Sequence, residues 1–360
     1  LHKAIRRQRQ MCIRDRFVAK RDASFMEAVA KLKKHKLYPG PVLIILATSS
    51  TVWATQEASE QFKGAEMKLE SLNFLEVVRH FESLPVAEIV RIYGAIGGVP
   101  AYLDKWDAAK SFKDNICRLV LTPSGALYGE ADAVIAAELR ELSAYSTILA
   151  AIARGENKLN DIFHATGFSR AKISVYLKNL ATFNIVEKVV SFETGGWENA
   201  KKGVYQIKDT FVNFWFKFVY PNMSNLYLLS PEEFYDTYIE KELDAYLERY
   251  FREVCTEYLL ILNQMGQLPF TIKRVGTWIG KTGRIDIVAQ SEDRRSIIGF
   301  CNWDKPMMTM DMCENMAMAM EQARLTSDDY YLFSATDFEP ALQSYVVRDP
   351  RFKLINMNEL

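Results

Sequence analysis

Asp286 lies in "RIDIVA" (284–289), a segment that alternates like a β-strand. A carboxylate on one strand, with a second acid and a lysine one residue apart on the next, is an arrangement that hydrolyses phosphodiesters. The carboxylates hold Mg²⁺, the ion activates a water, and the lysine supports the nucleophile or the developing charge. The next strand-like segment, "IIGFCNW" (297–303), carries Phe300, Cys301 and Asn302 at the places where the acid and lysine would stand. The expectation is a motif remnant with a single carboxylate. The rival expectation is a rearranged metal site using Asp286, Asp304 and either Lys281 or Lys305.

A second constellation lies in "SRAKISVYLKNLATF" (169–183). Ile173, Leu177 and Leu180 recur at helical spacing, and Ser169 can cap the helix. The opposite side carries Arg170, Lys172, Ser174, Lys178 and Asn179 without an acid. Cations suit phosphates, and short amides and hydroxyls suit base edges. Two helices are expected ahead of this one, in "AAELRELSAYSTILAAIARG" and "KLNDIFHATG". A hairpin follows it, "NIVEKVVSFE" and "VYQI", whose turn includes Lys201 and Lys202. That order is the order of a winged helix-turn-helix. Contact with DNA and contact with a protein partner are both open to such a unit.

Other residues are weaker candidates. Thr48, Ser49 and Ser50 end the apolar run "VLIILATSS", where α/β folds often place ligand-contacting groups, but the same residues also begin loops. Seven methionines and Cys313 fall within residues 307–320. Thioethers suit Cu(I), yet Met312, Met316 and Met320 share one helical face, as core packing requires. Five cysteines show no CxxC pair, and four scattered histidines give no support to a Ser/His triad. No phosphate-binding loop of the form GxxxxGK(S/T) occurs in the sequence.

Positioning these residues takes several elements. The 360 residues, 49% hydrophobic and 25% charged, suit an α/β protein of two or three domains. The cysteine usage and the absence of a membrane-length apolar run suggest a reduced cytoplasm with no membrane partner. Net charge is zero, so electrostatic attraction must be local. Residues 1–40 hold twelve Lys/Arg against three Asp/Glu, and residues 156–208 hold eight against five. "MCIRDR" (11–16) is what one frame of a common sequencing-library adaptor encodes, so residues 1–16 are expected to be an artefact or a disordered basic tail. Helices are expected at 24–38, in "VAEIVRIYGAIGG" up to Gly97-Gly98, and as one helix over 136–154. A buried strand is expected at 42–50. "MKLESLNFLEVVRHF" should give a short strand and then a helix capped by Ser71 or Asn73. From 251 onward the pattern alternates: helix 251–264, strands at 270–279, 284–290 and 296–302, helix 309–324, strand 330–334 and helix 337–346.

The segment order resembles that of the prokaryotic, archaeal-type AAA+ ATPases whose C-terminal half bears a winged helix and a PD-(D/E)xK nuclease-like domain. The stretches that carry the resemblance are "VLIILATSS", "MKLESLNFLEVVRHF", "YGAIGGVPAYLDKW", "LYGEADAVIAAELRELSAYSTILAAIARG", "FSRAKISVYLKNL", "FVNFWFKFVYPN", "RIDIVA" and "YYLFSATDF". The resemblance implies the distal part of an ATPase core at 17–69, a helical lid at 70–135, the winged helix-turn-helix at 136–208, a helical connector at 209–250 and a restriction-endonuclease-like mixed α/β domain at 251–360. Thr48, Ser49 and Ser50 match the family's sensor segment, whereas "FKGAEMKL" lacks the arginines of its pattern. The family's Walker A lysine and Walker B acid would lie before residue 17. The resemblance therefore implies an N-terminally truncated member that does not hydrolyse ATP as given and needs no cofactor, with ATP and Mg²⁺ belonging to a full-length parent.

Overall fold

The computed structural model describes residues 24–34, 45, 67–192, 203–280 and 283–360. The proposed artefact at 1–16, the strand at 42–50 with Thr48, Ser49 and Ser50, and Lys201, Lys202 and Lys281 all lie outside the described residues. The chain forms two compact units, 1–70 and 71–360. In the first, α1 (Ser24–Lys34) occupies the described part of the helix expected at 24–38. Residues 67–70 have no regular structure where a short strand was expected.

The second unit begins with α2 (Phe74–His80). Asn73 caps it: its side chain accepts from the Glu76 amide while the Glu76 carboxylate accepts from the Asn73 amide. α3 (Val86–Ile96) stops at Gly97, whose φ of 67° favours glycine. A Cβ on Gly98 would come within 1.8 Å of the Leu72 carbonyl oxygen, so only glycine lets these two backbones meet. The Leu72 amide donates to the Gly98 carbonyl there at 2.8 Å. Pro100 opens the short α4 (Pro100–Leu103). α5 (Phe112–Ile116) runs on into a π-helical turn, Cys117–Leu121.

The single helix expected over 136–154 is two helices, α6 (Glu130–Glu138) and α7 (Leu142–Ala153). Leu139 turns extended at the break and buries its side chain. Exposed Glu141 accepts a hydrogen bond from the Tyr176 hydroxyl. The break thus serves two tertiary contacts that helix periodicity does not encode. α8 (Leu159–Thr166) ends on Gly167 in the left-handed region, and α9 (Arg170–Thr182) follows with Ser169 capping it. β1 (Val186–Val189) then pairs antiparallel with β2 (Val204–Ile207).

"FVNFWFKFVY" forms α10 (Thr210–Phe214) and a π-helical turn, Trp215–Val219. Phe211, Phe214, Trp215, Phe216 and Phe218 are all fully buried, as an element apolar on every side must be. Two further helices, α11 (Met223–Leu226) and α12 (Pro231–Tyr238), lead into α13 (Glu240–Gln264). α13 is 25 residues long and runs straight through the boundary expected at 250/251. Its Glu257 carboxylate accepts from the Phe74 and Leu75 amides at the start of α2. Its Phe251 ring packs 5.5 Å from Trp303 beyond the sheet. One helix therefore holds together the helical half and the sheet.

The sheet has the order β3-β4-β5-β7-β9. β3 (Arg274–Ile279), β4 (Arg284–Gln290) and β5 (Ser296–Asn302) pair antiparallel. After a short β6 (Met307–Met308), α14 (Met310–Ala323) leads to β7 (Asp329–Ser334), parallel to β5. β8 (Asp337–Phe338) pairs with β6, and α15 (Pro340–Arg348) leads to β9 (Phe352–Asn356), parallel to β7. β9 went unrecognised in the sequence. Ile287, Ala289, Ile297 and Phe333 pack with the α13 residues in one core. Ile285, Val288, Ile298 and Leu332 pack with Met316, Met320 and Leu342 of α14 and α15 in the other. The outcome is a mixed sheet between helices.

The hairpin is fastened to this sheet. Phe192, just past β1, is buried in the α14-side core beside Trp278. Its amide donates to the Thr277 carbonyl at 3.0 Å, and the Ile279 amide donates to Ser191 Oγ at 3.0 Å. The free edge of β3 is thereby covered. On the other side, Arg249 of α13 donates to the Ile207 carbonyl at the end of β2 at 2.8 Å.

Candidate nucleic-acid interface and the Asp286 site

α9 sorts its residues by face. Ile173, Tyr176, Leu177 and Leu180 are buried. Arg170, Lys172, Ser174 and Lys178 are exposed, with Val175 also out in solvent. The long cations rest on aromatic rings of the neighbouring segments. The Arg170 guanidinium sits 4.1 Å from the centre of Phe163, and Lys172 Nζ sits 4.4 Å from Phe168 and 5.3 Å from Tyr176. Arg170 also donates to the Asn160 side chain at 2.6 Å. Each ring carries part of a cation's contact without neutralising it, so the charge stays available at the surface. Among the described residues, none of Arg170, Lys172 and Lys178 forms an ion pair.

The smaller polar residues are arranged differently. Ser174 Oγ donates back to the Arg170 carbonyl at 2.9 Å. Asn179 is half-buried, and its amide donates to the Tyr145 hydroxyl of α7 at 2.9 Å. Asn179 therefore faces α7, because it stands three residues after Tyr176 on the flank of the buried stripe. The exposed set is three cations and a serine.

Asp286 has the opposite setting. It is 5% exposed on β4. Arg252 Nε of α13 donates to Oδ1 at 3.0 Å, Arg284 Nε donates to Oδ1 at 2.9 Å, and the Cys301 amide donates to Oδ2 at 3.1 Å. Two guanidinium groups and a backbone amide thus engage the carboxylate. A β-bulge aims it there: Gly276 to Trp278 of β3 spans Val288 to Ile285 of β4, one residue longer on the β4 side. Asp286 and Ile287 both end up on the α13 side as a result. Nearby, burial and a hydrogen bond with Cys301 push the Cys255 thiol well up from its ordinary pKa. That thiol is a packing group at neutral pH.

The proposed second acid is engaged elsewhere. Asp304 accepts from its neighbour Lys305 at 2.9 Å. Asn302 is buried, and its amide donates to Ser334 Oγ at 3.0 Å, closing the ends of β5 and β7. Glu253 accepts from Arg249. Among the described residues, no three His, Cys, Asp or Glu side chains converge as a metal site would need. On the methionine helix, Met316 and Met320 are buried and Met312 packs against the same apolar core. No described helix is long and apolar enough to cross a membrane.

Sequence reasoning missed two contributions to these sites. Arg252 neutralises Asp286; its position one turn after Arg249 and next to Glu253 on α13 gave no sign of that. The aromatic supports Phe163 and Phe168 were legible in principle, because each precedes the recognition segment by only a few residues.

Residues 215–318, from the π-helical turn into α14, match a family described as "Archaea bacterial proteins of unknown function", DUF234. The uncharacterized protein MJECL04 of Methanocaldococcus jannaschii is 29% identical over 301 residues, covering 81% of this chain and 66% of that protein. The chain thus spans just under two thirds of that relative's length. No solved structure matches.

Proposed function

We propose that this chain binds DNA through the exposed face of α9, with α7, α8, α9 and the β1–β2 hairpin acting as a winged helix-turn-helix. The observation that carries the reading is the row of Arg170, Lys172 and Lys178 on α9, exposed, without ion pairs and with no acid on the helix. A helix held by an apolar face and presenting cations outward is what major-groove or phosphate contact requires. Lys201 and Lys202, which fall between β1 and β2 in the sequence, would add backbone contacts. The sheet fits a PD-(D/E)xK-like frame in which a buried ion pair replaces the metal site, and the whole fits the C-terminal half of an AAA+ family ATPase whose nucleotide site lies elsewhere. In such a parent, ATP and Mg²⁺ would act on the core, and nucleotide state would reposition the winged helix against the sheet.

The test is fluorescence anisotropy of the full chain with a labelled duplex at two salt concentrations. Salt-sensitive binding that falls by about tenfold in Arg170→Ala/Lys172→Ala, with the salt slope reduced by roughly two, supports the reading. Binding that the double variant leaves untouched overturns it.

A further inference from the structure

A second group of cations lies where the hairpin meets the sheet. Lys273, Arg274, Gln290, Ser291, Glu292 and Arg294 line a concavity of about 410 Å³ at the start of β3 and the β4–β5 turn. Arg295 stands at its margin, its guanidinium 4.6 Å from the Phe270 ring. Lys273, Arg294 and Arg295 are exposed, and among the described residues none of the three forms an ion pair. Two acids adjoin the cations: Glu292 is exposed in the lining, and Asp293 is turned inward to the turn itself, accepting from the Ser291 hydroxyl, a bond that holds its carboxyl below the usual range; three cations in the lining outnumber the one acid there.

Two further observations favour a ligand here over a merely solvated turn. Arg294 adopts φ 69°, a left-handed conformation in which glycine or asparagine would be less strained. In this conformation Arg294 lines the concavity. Arg274, which also lines the concavity, is fixed to the hairpin: its guanidinium lies 4.8 Å from the Phe192 ring and donates to the Phe192 carbonyl at 3.2 Å. The concavity is therefore built onto the same body as β1, which begins four residues after α9 ends.

We infer that this concavity is a second phosphate-contacting site for duplex DNA, so that one duplex lies on α9 and continues over Lys273, Arg274 and Arg294. The inference rests on the reading of α9 as a DNA-contacting helix. Phosphates are the matching chemistry: arginine forks and a lysine around an open, polar hollow bind phosphoryl oxygens without reading sequence. The α9 face selects the position, and the concavity adds affinity that grows with duplex length.

The experiment compares the full chain with its Lys273→Glu/Arg294→Glu variant on a short duplex of about one helical turn and a long one of about three turns. Both side chains are exposed, so circular dichroism is expected to show an unchanged fold. The expected result is a loss of about tenfold or more on the long duplex, a salt slope lower by roughly two, and unchanged affinity on the short one. If the variant binds the long duplex as the parent does while Arg170→Ala/Lys172→Ala is weakened, the second site is refuted and the α9 reading stands. If Arg170→Ala/Lys172→Ala is not weakened, the α9 reading falls, and the continuous track falls with it.

Discussion

The outer face of α9 and the buried end of β4 both place charge on an otherwise apolar element, but they dispose of it in opposite directions. On α9, Arg170 and Lys172 project outward, and flat rings steady their stems. Among the described residues neither forms an ion pair. On β4, Asp286 projects inward, and Arg252, Arg284 and the Cys301 amide consume its charge. A partner can exploit the first arrangement at little cost. A metal ion could exploit the second only by displacing guanidinium groups that are already in place. Two sequence segments that looked equally chemical thus differ in whether their charge remains available.

The largest expected effect comes from removing the inward charge. Asp286→Ala leaves Arg252 and the Cys301 amide buried without their acceptor, a class of change that costs about 3–5 kcal/mol. Chemical denaturation should show that loss, and DNA binding at a temperature where the variant is folded should be unchanged. If instead the variant keeps its stability and abolishes a Mg²⁺-dependent cleavage, Asp286 is a catalytic group and the contrast fails.

Next in size is the fastening between the two regions. Phe192→Ala removes a ring buried against Trp278, and truncating a buried aromatic typically costs about 3 kcal/mol or more. Hydrogen exchange should report faster exchange of the Thr277 to Ile279 backbone and of β1, because the Phe192 amide and Ser191 Oγ contacts loosen together. Unchanged protection at β3 would mean that the hairpin and the sheet are not mechanically joined there, and the second phosphate site would lose its fixed relation to α9.

How much of this was legible depends on the range of the interaction involved. Local signals were reliable: Asn73 with Glu76, Gly97, Gly167 and Ser169 all bound their helices through contacts within a few residues. So was the α9 stripe, since helix periodicity alone sorts Ile173, Leu177 and Leu180 from the cations. Contacts between distant segments were not legible. Leu139 breaks a helix because a core pocket and the Tyr176 contact to Glu141 lie beside it, and α13 runs through an expected boundary because it serves two cores at once. Asp286 was recognised, but its neutralisation depends on a bulge in β4 and on an arginine 34 positions earlier, neither of which has a local signature.

The smallest expected effect concerns the inner face of α9. The Tyr176 hydroxyl donates to Glu141, and that hydrogen bond, followed by burial and the adjacent carboxylate charge, raises the phenol to a pKa of about 12. An unfolded tyrosine titrates near 10, so the folded protein keeps this proton over a window in which the unfolded chain gives it up. The contribution is complete below about pH 10 and disappears as pH rises towards 12. Tyr176→Phe should therefore cost a small amount of stability at neutral pH, small because exposed Glu141 can turn to water, and the difference should close as the wild type declines between those two values. Denaturation curves of both proteins across that range measure the difference. If they remain parallel, the contact does not hold in solution, and the cation on Lys172, which rests partly on the same ring, would lose one of its two supports.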